Sequence, residues 1–143
     1  MTNEYIVDAG LFLQNAASKI KASMKKSEVI LAAQSFAFGL ERILKGILFE
    51  INPVYVLVEP KFENSLSIFY KSKLIANKES QKELAKNPNA DVLTFKKSLL
   101  RAQSVSETTF KYKHTLFFIS EVRDIIAHHE IKLLELEKIK TVL

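Results

Sequence analysis

The spacing of apolar side chains predicts α-helices along most of the chain. Residues 4–24 follow Asn3, a capping residue type, and their apolar side chains recur every three to four positions, as in an amphipathic helix. Ser27 can cap a second helix over residues 28–51, which is apolar over much of its circumference. A helix with this pattern packs on more than one side, so we expect it at the domain centre or in a dimer interface.

The middle of the chain is less regular. Asn52 and Pro53 end the second helix, because the residue before a proline disfavours the helical conformation. Residues 54–60 are rich in β-branched side chains, and we expect an extended connector because a lone strand has no partner there. A short helix over residues 63–76 and a polar loop over residues 77–90 follow.

The last third of the chain predicts two more helices. Asp91 can cap a helix over residues 92–103. Ser104 and Glu107 have the spacing of a capping box. This box would open a long helix over residues 105–139, with a possible break near two adjacent histidines.

These elements and the composition predict a single all-α domain. The chain has 143 residues, of which only three are glycine and three proline, so long helices fit it. Its 48% hydrophobic and 26% charged residues are typical of a globular protein and exclude a disordered one. We expect an up-and-down bundle of four to five helices over residues 1–143.

Two absences in the sequence indicate a cellular setting. The chain has no cysteine, which excludes disulfides and thiolate metal sites and fits a reducing cytoplasm. The first twenty residues lack the basic-then-apolar order of a signal peptide, and no apolar run has membrane-spanning length. We therefore expect a cytoplasmic protein that does not associate with membranes.

The positive charge is concentrated in the second half of the chain. Residues 73–143 contain thirteen Lys/Arg against nine Asp/Glu, a surplus of four within a net charge of +5. Residues 95–114 interleave aromatic side chains with cations, a composition that can follow an RNA backbone and stack on its bases. The candidate RNA-binding residues are Lys96, Lys97, Arg101, Lys111 and Lys113. The alternative is a solvated helix face whose aromatic side chains point into the core.

Candidate chemistry lies in the last predicted helix, where Arg123, Asp124, His128 and His129 occur in an apolar run. A helix turns about 100° per residue, so Arg123 and His128 lie about 140° apart around its axis. A shared site therefore needs a bend in the helix or a second protomer. In the ordinary alternative, His128 and Asp124 form a surface pair and His129, on the apolar stripe, is structural. The three histidines and scattered carboxylates form no recognisable metal-binding set.

The sequence Arg-Asp-Ile-Ile-Ala-His of residues 123–128 resembles the R-x4-6-H motif of the HEPN superfamily. Residues 38–48 resemble the apolar, Glu-containing early helix of the same domains. The resemblance implies a metal-independent, cofactor-free endoribonuclease that works as a homodimer, with the motifs of both subunits in one cleft. It also implies a toxin or anti-phage defence system, with an antitoxin or a larger defence-system protein as a possible partner.

The same resemblance implies roles for the motif residues. His128 would take the proton from an RNA 2′-hydroxyl, and Arg123 would neutralise the charge that builds on the phosphoryl oxygens. Asp124 would orient one of these two, and Glu41 is an alternate residue that could hold Arg123. His129 also fits the motif, as R-x5-H, so it remains an alternate catalytic histidine.

Two other functions remain open from the sequence. The first is a non-catalytic HEPN-like module that dimerises and binds RNA, a nucleotide or a protein. The second is a helical interaction domain in which the Arg/His pattern is a coincidence.

Overall fold

The computed structural model describes residues 3–20, 25–58 and 93–128. These residues form five α-helices, one 3-10 helix and no β-strand, which confirms the all-α prediction. The elements in chain order are α1 (Glu4–Lys19), α2 (Lys26–Ile51), the 3-10 helix (Pro53–Val56), α3 (Phe95–Ala102), α4 (Glu107–Lys111) and α5 (Lys113–His128). The helix predicted over residues 63–76 and the loop over 77–90 lie outside the described residues. Within the described ranges, no helix is both long and apolar enough to cross a membrane.

Helix α1 begins where the sequence predicts and ends earlier. The Asn3 side chain accepts a hydrogen bond from the Tyr5 backbone N–H at 3.1 Å, which caps the first turn. The same side chain donates to the Gly46 carbonyl at 3.0 Å and so ties the start of α1 to α2. Ile20 is already extended, with φ −72° and ψ 117°, so the predicted extent to residue 24 is too long.

Helix α2 starts slightly before the predicted position. Its N-cap is Lys25, whose backbone N–H donates to the Glu28 carboxylate at 2.9 Å, and Ser27 therefore lies inside the helix. The carboxylate of Glu28 also suits the positive N-terminal end of the helix dipole. The predicted cap at Ser27 is wrong. The N-cap lies two residues earlier, at Lys25, because the Glu28 side chain accepts the hydrogen bond of the Lys25 N–H there.

Helix α2 is the central element of the described fold. It contacts α1, α3, α5 and the 3-10 helix, as its apolar circumference predicts. The main core cluster draws residues from all of these elements, among them Tyr5, Leu44, Leu48, Phe49, Val56, Phe95, Leu99 and Ile119. A smaller cluster joins α2 to α5 through Val29, Ala33 and Val122. This second cluster fixes the face of α5 that carries the motif.

The connector predicted to be extended over residues 54–60 is helical at its start. The Asn52 side chain accepts a hydrogen bond from the Val54 N–H at 3.0 Å, and Pro53 occupies the first helical position. Both features favour a helical turn, which explains why the strand-like composition misleads. Val56 is fully buried, and its carbonyl accepts from the Leu93 N–H at 2.9 Å.

Helix α3 begins later than predicted. Its cap is Thr94, whose hydroxyl accepts from the Lys97 N–H at 3.4 Å, while Asp91 lies outside the described residues. The helix ends at Ala102, one residue before the predicted end.

The long helix predicted over residues 105–139 is divided in the structure. Ser106 is its cap instead of Ser104, because the Ser106 hydroxyl accepts from the Thr109 N–H at 3.2 Å. Tyr112 then interrupts the helix, with φ −100° and ψ 15°, and separates α4 from α5. Helix α5 continues to His128, and the remainder of the predicted helix lies outside the described residues.

Candidate functional site

The motif arginine lies beside a buried carboxylate of α2. The Arg123 Nε atom is 3.9 Å from Glu41 Oε2, across the interface between α5 and α2. Glu41 is buried, and its other carboxylate oxygen accepts a hydrogen bond from Lys45 Nζ at 2.8 Å. Glu41 and Lys45 are one helical turn apart, so both face the same side of α2. Glu41 therefore lies between two cations, one from its own helix and one from α5.

Asp124 extends this arrangement toward the solvent. Its Oδ1 atom accepts a hydrogen bond from Arg123 Nη1 at 3.3 Å. Its Oδ2 atom lies 3.3 Å from Lys96 Nζ, which comes from α3. Asp124 thus joins the motif arginine to a cation on a different helix.

The five side chains Lys45, Glu41, Arg123, Asp124 and Lys96 form a row of alternating charge, which we call the charged cluster. With three cations and two carboxylates, its net charge is +1. The Lys45 and Glu41 side chains are only 12% and 11% exposed, whereas those of Asp124 and Lys96 are 35% and 40% exposed. The cluster therefore has a buried inner end and an outer end that a ligand can reach.

Charge rather than ideal hydrogen bonding holds Arg123 at the centre of the cluster. Its Nε atom is buried, and within the described residues it has no hydrogen-bond partner, because 3.9 Å to Glu41 is too long. A buried donor without a partner costs about 1–3 kcal/mol. Among the described residues, Arg123 is held by its ion pair with Glu41 and its hydrogen bond to Asp124.

Of the two motif histidines, the structure describes only the backbone of His128. His128 is the last residue of α5, and its side chain, like the whole of His129, lies outside the described residues. Helix α5 runs without interruption from Lys113 to His128. Positions 123 and 128 therefore keep the separation of about 140° that an α-helix imposes. The structure brings together Arg123, Asp124 and Glu41, and no bend at this point of α5 brings position 128 toward them.

Of the candidate RNA-binding residues, Arg101 is occupied by the protein itself. Its guanidinium donates to the backbone carbonyls of Tyr55, Leu57 and Val58 at 2.6 to 3.0 Å. These bonds attach the 3-10 helix and the two residues after it to α3. Lys97, by contrast, is exposed on α3.

The aromatic side chains of the basic stretch divide into two groups. Phe95 is buried in the core, as the solvated-face alternative requires. Phe110 and Tyr112 are 54% and 50% exposed, so for these two the expectation of a core position is wrong. Lys113 Nζ lies 3.8 Å from the centre of the Phe110 ring, and Lys111 Nζ lies 5.3 Å from that of Tyr112. Both are cation–π pairs on the surface.

An apolar groove lies apart from the charged cluster. It has a volume of about 330 Å³ and runs between α2 and the α4–α5 pair. Its walls include Leu40, Ile43 and Ile47 on one side and Tyr112, Leu116 and Ile119 on the other. No member of the charged cluster lines this groove.

Sequence reasoning missed Lys45 as a member of the site. Its spacing of four residues from Glu41 is the signal that could have identified it, because such pairs are neighbours on a helix. Within the described ranges, no group of three or more His, Asp or Glu side chains is placed to hold a metal ion. Comparisons with protein-family models, curated proteins and solved structures found no match to this chain.

Proposed function

We propose that this protein is a metal-independent endoribonuclease that cleaves RNA through attack by the 2′-hydroxyl. The observation that carries the proposal is the position of Arg123, between a buried carboxylate and a half-exposed one in a cluster of net positive charge. An arginine in this position can receive a phosphodiester from the solvent side while Glu41 retains it from behind. A planar guanidinium is well suited to two phosphoryl oxygens at once.

The proposed chemistry divides between Arg123 and His128. His128, neutral near pH 7, accepts the proton of the 2′-hydroxyl, whose oxygen then attacks the adjacent phosphorus. Arg123 neutralises the charge that develops on the phosphoryl oxygens. The P–O5′ bond breaks and the leaving O5′ takes up a proton from the solvent, which leaves a 2′,3′-cyclic phosphate and a 5′-hydroxyl. Glu41 positions Arg123, and His129 is the alternate base.

The continuity of α5 supports a site shared by two protomers. Because positions 123 and 128 diverge on one unbroken helix, Arg123 of one copy meets His128 of a second copy in the proposed cleft. A two-fold dimer then contains two equivalent sites.

The biological setting of the proposal comes from the resemblance of residues 123–128 and 38–48 to the HEPN superfamily. It is a toxin or an anti-phage defence nuclease in the cytoplasm, with an antitoxin or a larger defence-system protein as a partner. The absence of cysteine supports a reducing compartment.

RNA cleavage in the presence of EDTA tests the proposal. The purified protein is incubated with a ribo-oligonucleotide, and the products are identified by mass as a cyclic phosphate and a 5′-hydroxyl. We expect Arg123→Ala and His128→Ala each to lower the rate at least about a hundredfold, as for the loss of an electrostatic group or a general base. Lys19→Gln, a charge change in the last turn of α1, on the other side of α2 from α5, is the control and should cleave normally. Unchanged cleavage by both motif variants would overturn the assignment.

A non-catalytic RNA-binding module is the second candidate function. The surface pairs Lys113–Phe110 and Lys111–Tyr112 favour it, because exposed rings beside cations can stack on bases without any chemistry. In the same assay, RNA that is bound and recovered intact would support this candidate over the nuclease.

A further inference from the structure

Lys96 differs from the other cations of the basic stretch in what it contacts. It comes from α3, yet its Nζ atom lies 3.3 Å from Asp124 Oδ2 on α5 and 5.3 Å from the centre of the Phe117 ring. Phe117 is 47% exposed, so the ammonium lies over a ring at the surface. Packing between α3 and α5 thus places a second cation one carboxylate away from Arg123.

We propose that Lys96 and Arg123 together bind one phosphate of the RNA, and that Asp124 occupies their place of contact when no RNA is bound. The inference rests on the proposed function for its choice of RNA as the ligand. Asp124 Oδ1 accepts a hydrogen bond from Arg123 at 3.3 Å, and its Oδ2 forms an ion pair with Lys96 at 3.3 Å, so Asp124 bridges the two cations as a phosphate oxygen pair would. When the phosphate binds, Lys96 and Arg123 transfer part of their contacts from Asp124 to it.

The charge of the cluster fits an anion with a single negative charge. Its three cations and two carboxylates leave one positive charge unbalanced. Glu41 and Lys45 form a 2.8 Å pair at the buried end, so the surplus charge belongs to the open end, at Lys96 and Arg123. One phosphodiester carries one negative charge and would neutralise it.

The two cations supply different parts of the contact. Arg123 offers a flat fork of N–H donors, whereas Lys96 offers a compact charge on a flexible stem that can follow the ligand. The exposed Phe117 ring beneath Lys96 adds a surface on which a base next to the bound phosphate can stack.

Substitution of Asp124 distinguishes a carboxylate that competes with the phosphate from one that only supports Arg123. If Asp124 competes with the phosphate, Asp124→Asn removes the competitor and raises the net charge of the cluster from +1 to +2. RNA then binds more tightly, although a residue of the motif has been removed.

Binding of a 2′-O-methyl oligouridine tests the inference, because this probe has no 2′-hydroxyl and is not cleaved. Fluorescence anisotropy gives its Kd at a series of KCl concentrations. We expect Lys96→Gln to weaken binding about tenfold and to reduce the slope of log affinity against log salt by about 0.7, the value for one phosphate contact on a single strand. Lys96→Arg should retain most of the affinity, and Asp124→Asn should bind about threefold or more tighter.

The control is Lys19→Gln, which makes the same charge change on α1, on the other side of α2 from α5, and should shift Kd less than twofold. Equal losses in Lys96→Gln and Lys19→Gln, or weaker binding by Asp124→Asn, would refute the two-cation contact. Absence of probe binding by the wild-type protein would refute it as well.

The failure of this inference can be distinguished from failure of the nuclease proposal. Probe binding that depends on Lys96, without cleavage of unmodified RNA, supports the phosphate contact and removes the nuclease. Cleavage that depends on Arg123 and His128, with Lys96→Gln and Lys19→Gln alike in probe binding, supports the nuclease and removes the role of Lys96.

Discussion

Arg101 and Arg123 differ in the contacts that their side chains make. Among the described residues, Arg101 makes three hydrogen bonds to backbone carbonyls, whereas Arg123 makes one, to its neighbour Asp124. Both arginines belong to the basic second half of the chain, so a count of charges does not distinguish them. These contacts indicate that Arg101 serves stability, whereas we propose that Arg123 binds the RNA phosphate.

Arg101→Lys should therefore destabilise the fold without a change in overall charge. A lysine cannot reproduce the forked contacts to Tyr55, Leu57 and Val58. A hydrogen bond from a charged donor contributes about 1.5–3 kcal/mol to the stability of a protein. We expect the free energy of unfolding, measured with urea, to fall by about 2 kcal/mol. Lys97→Gln on the same helix is the control and should change it by less than about 0.5 kcal/mol. A stability of Arg101→Lys equal to that of the control would show that these bonds are not structural.

At the level of residues, the sequence predicts the members of the charged cluster that lie within a short sequence motif. Arg123 and Asp124 follow from the motif, and Glu41 follows from the resemblance of the second helix. The place of Lys96 beside Asp124 depends on how α3 packs against α5, which no local pattern encodes. The contact of Lys45 with Glu41 depends only on their spacing of four residues in one helix, so the sequence alone is sufficient to predict it.

At the level of elements, two glycines of α2 let α1 approach closely. A Cβ atom at Gly39 would lie 2.7 Å from Leu13 Cδ2 and 2.8 Å from Leu13 Cγ. At Gly46 it would collide with Ile6. The two glycines are seven residues apart, which places them on one face of α2. Close contact between α1 and α2 at these points leaves the other faces of α2 for α3 and α5.

Gly39→Ala and Gly10→Ala form a matched pair that measures this contact. A Cβ at Gly10 meets no atom within 4 Å, so this substitution should stabilise the protein by about 0.5–1 kcal/mol through helix propensity. Gly39→Ala has the same propensity gain but forces Leu13 to move, at a cost of about 1–3 kcal/mol. Thermal or urea unfolding should therefore rank Gly39→Ala below Gly10→Ala. The reverse order would show that α1 and α2 do not pack as closely as described.

The helical pattern predicts the existence of these elements better than their ends. The apolar repeat identifies α1, α2, α3 and α5, because burial of one face requires it. Tyr112 interrupts a stretch whose composition continues the helical pattern, so the division between α4 and α5 is not visible in it. The 3-10 helix is similarly hidden, since Asn52 and Pro53 signal both the end of one helix and the start of a turn.

At the level of the whole molecule, the central proposal is that two protomers form the site together. Helix α5 is continuous to His128, so Arg123 and position 128 diverge, and we propose that a second copy supplies the missing group. A monomer in solution would be incompatible with this claim. Dimerisation alone would not establish it, because two copies can associate through a surface remote from the motif.

Complementation between two inactive variants tests the shared site most directly. Arg123→Ala and His128→Ala proteins are mixed in equal amounts, unfolded and refolded together so that subunits redistribute, and assayed for RNA cleavage in EDTA. Each mixed dimer then contains one site with both groups intact, so we expect about a quarter of the wild-type activity from two proteins that are inactive alone. A mixture as inactive as its components, under conditions in which the wild type refolds to an active dimer, would contradict the shared site.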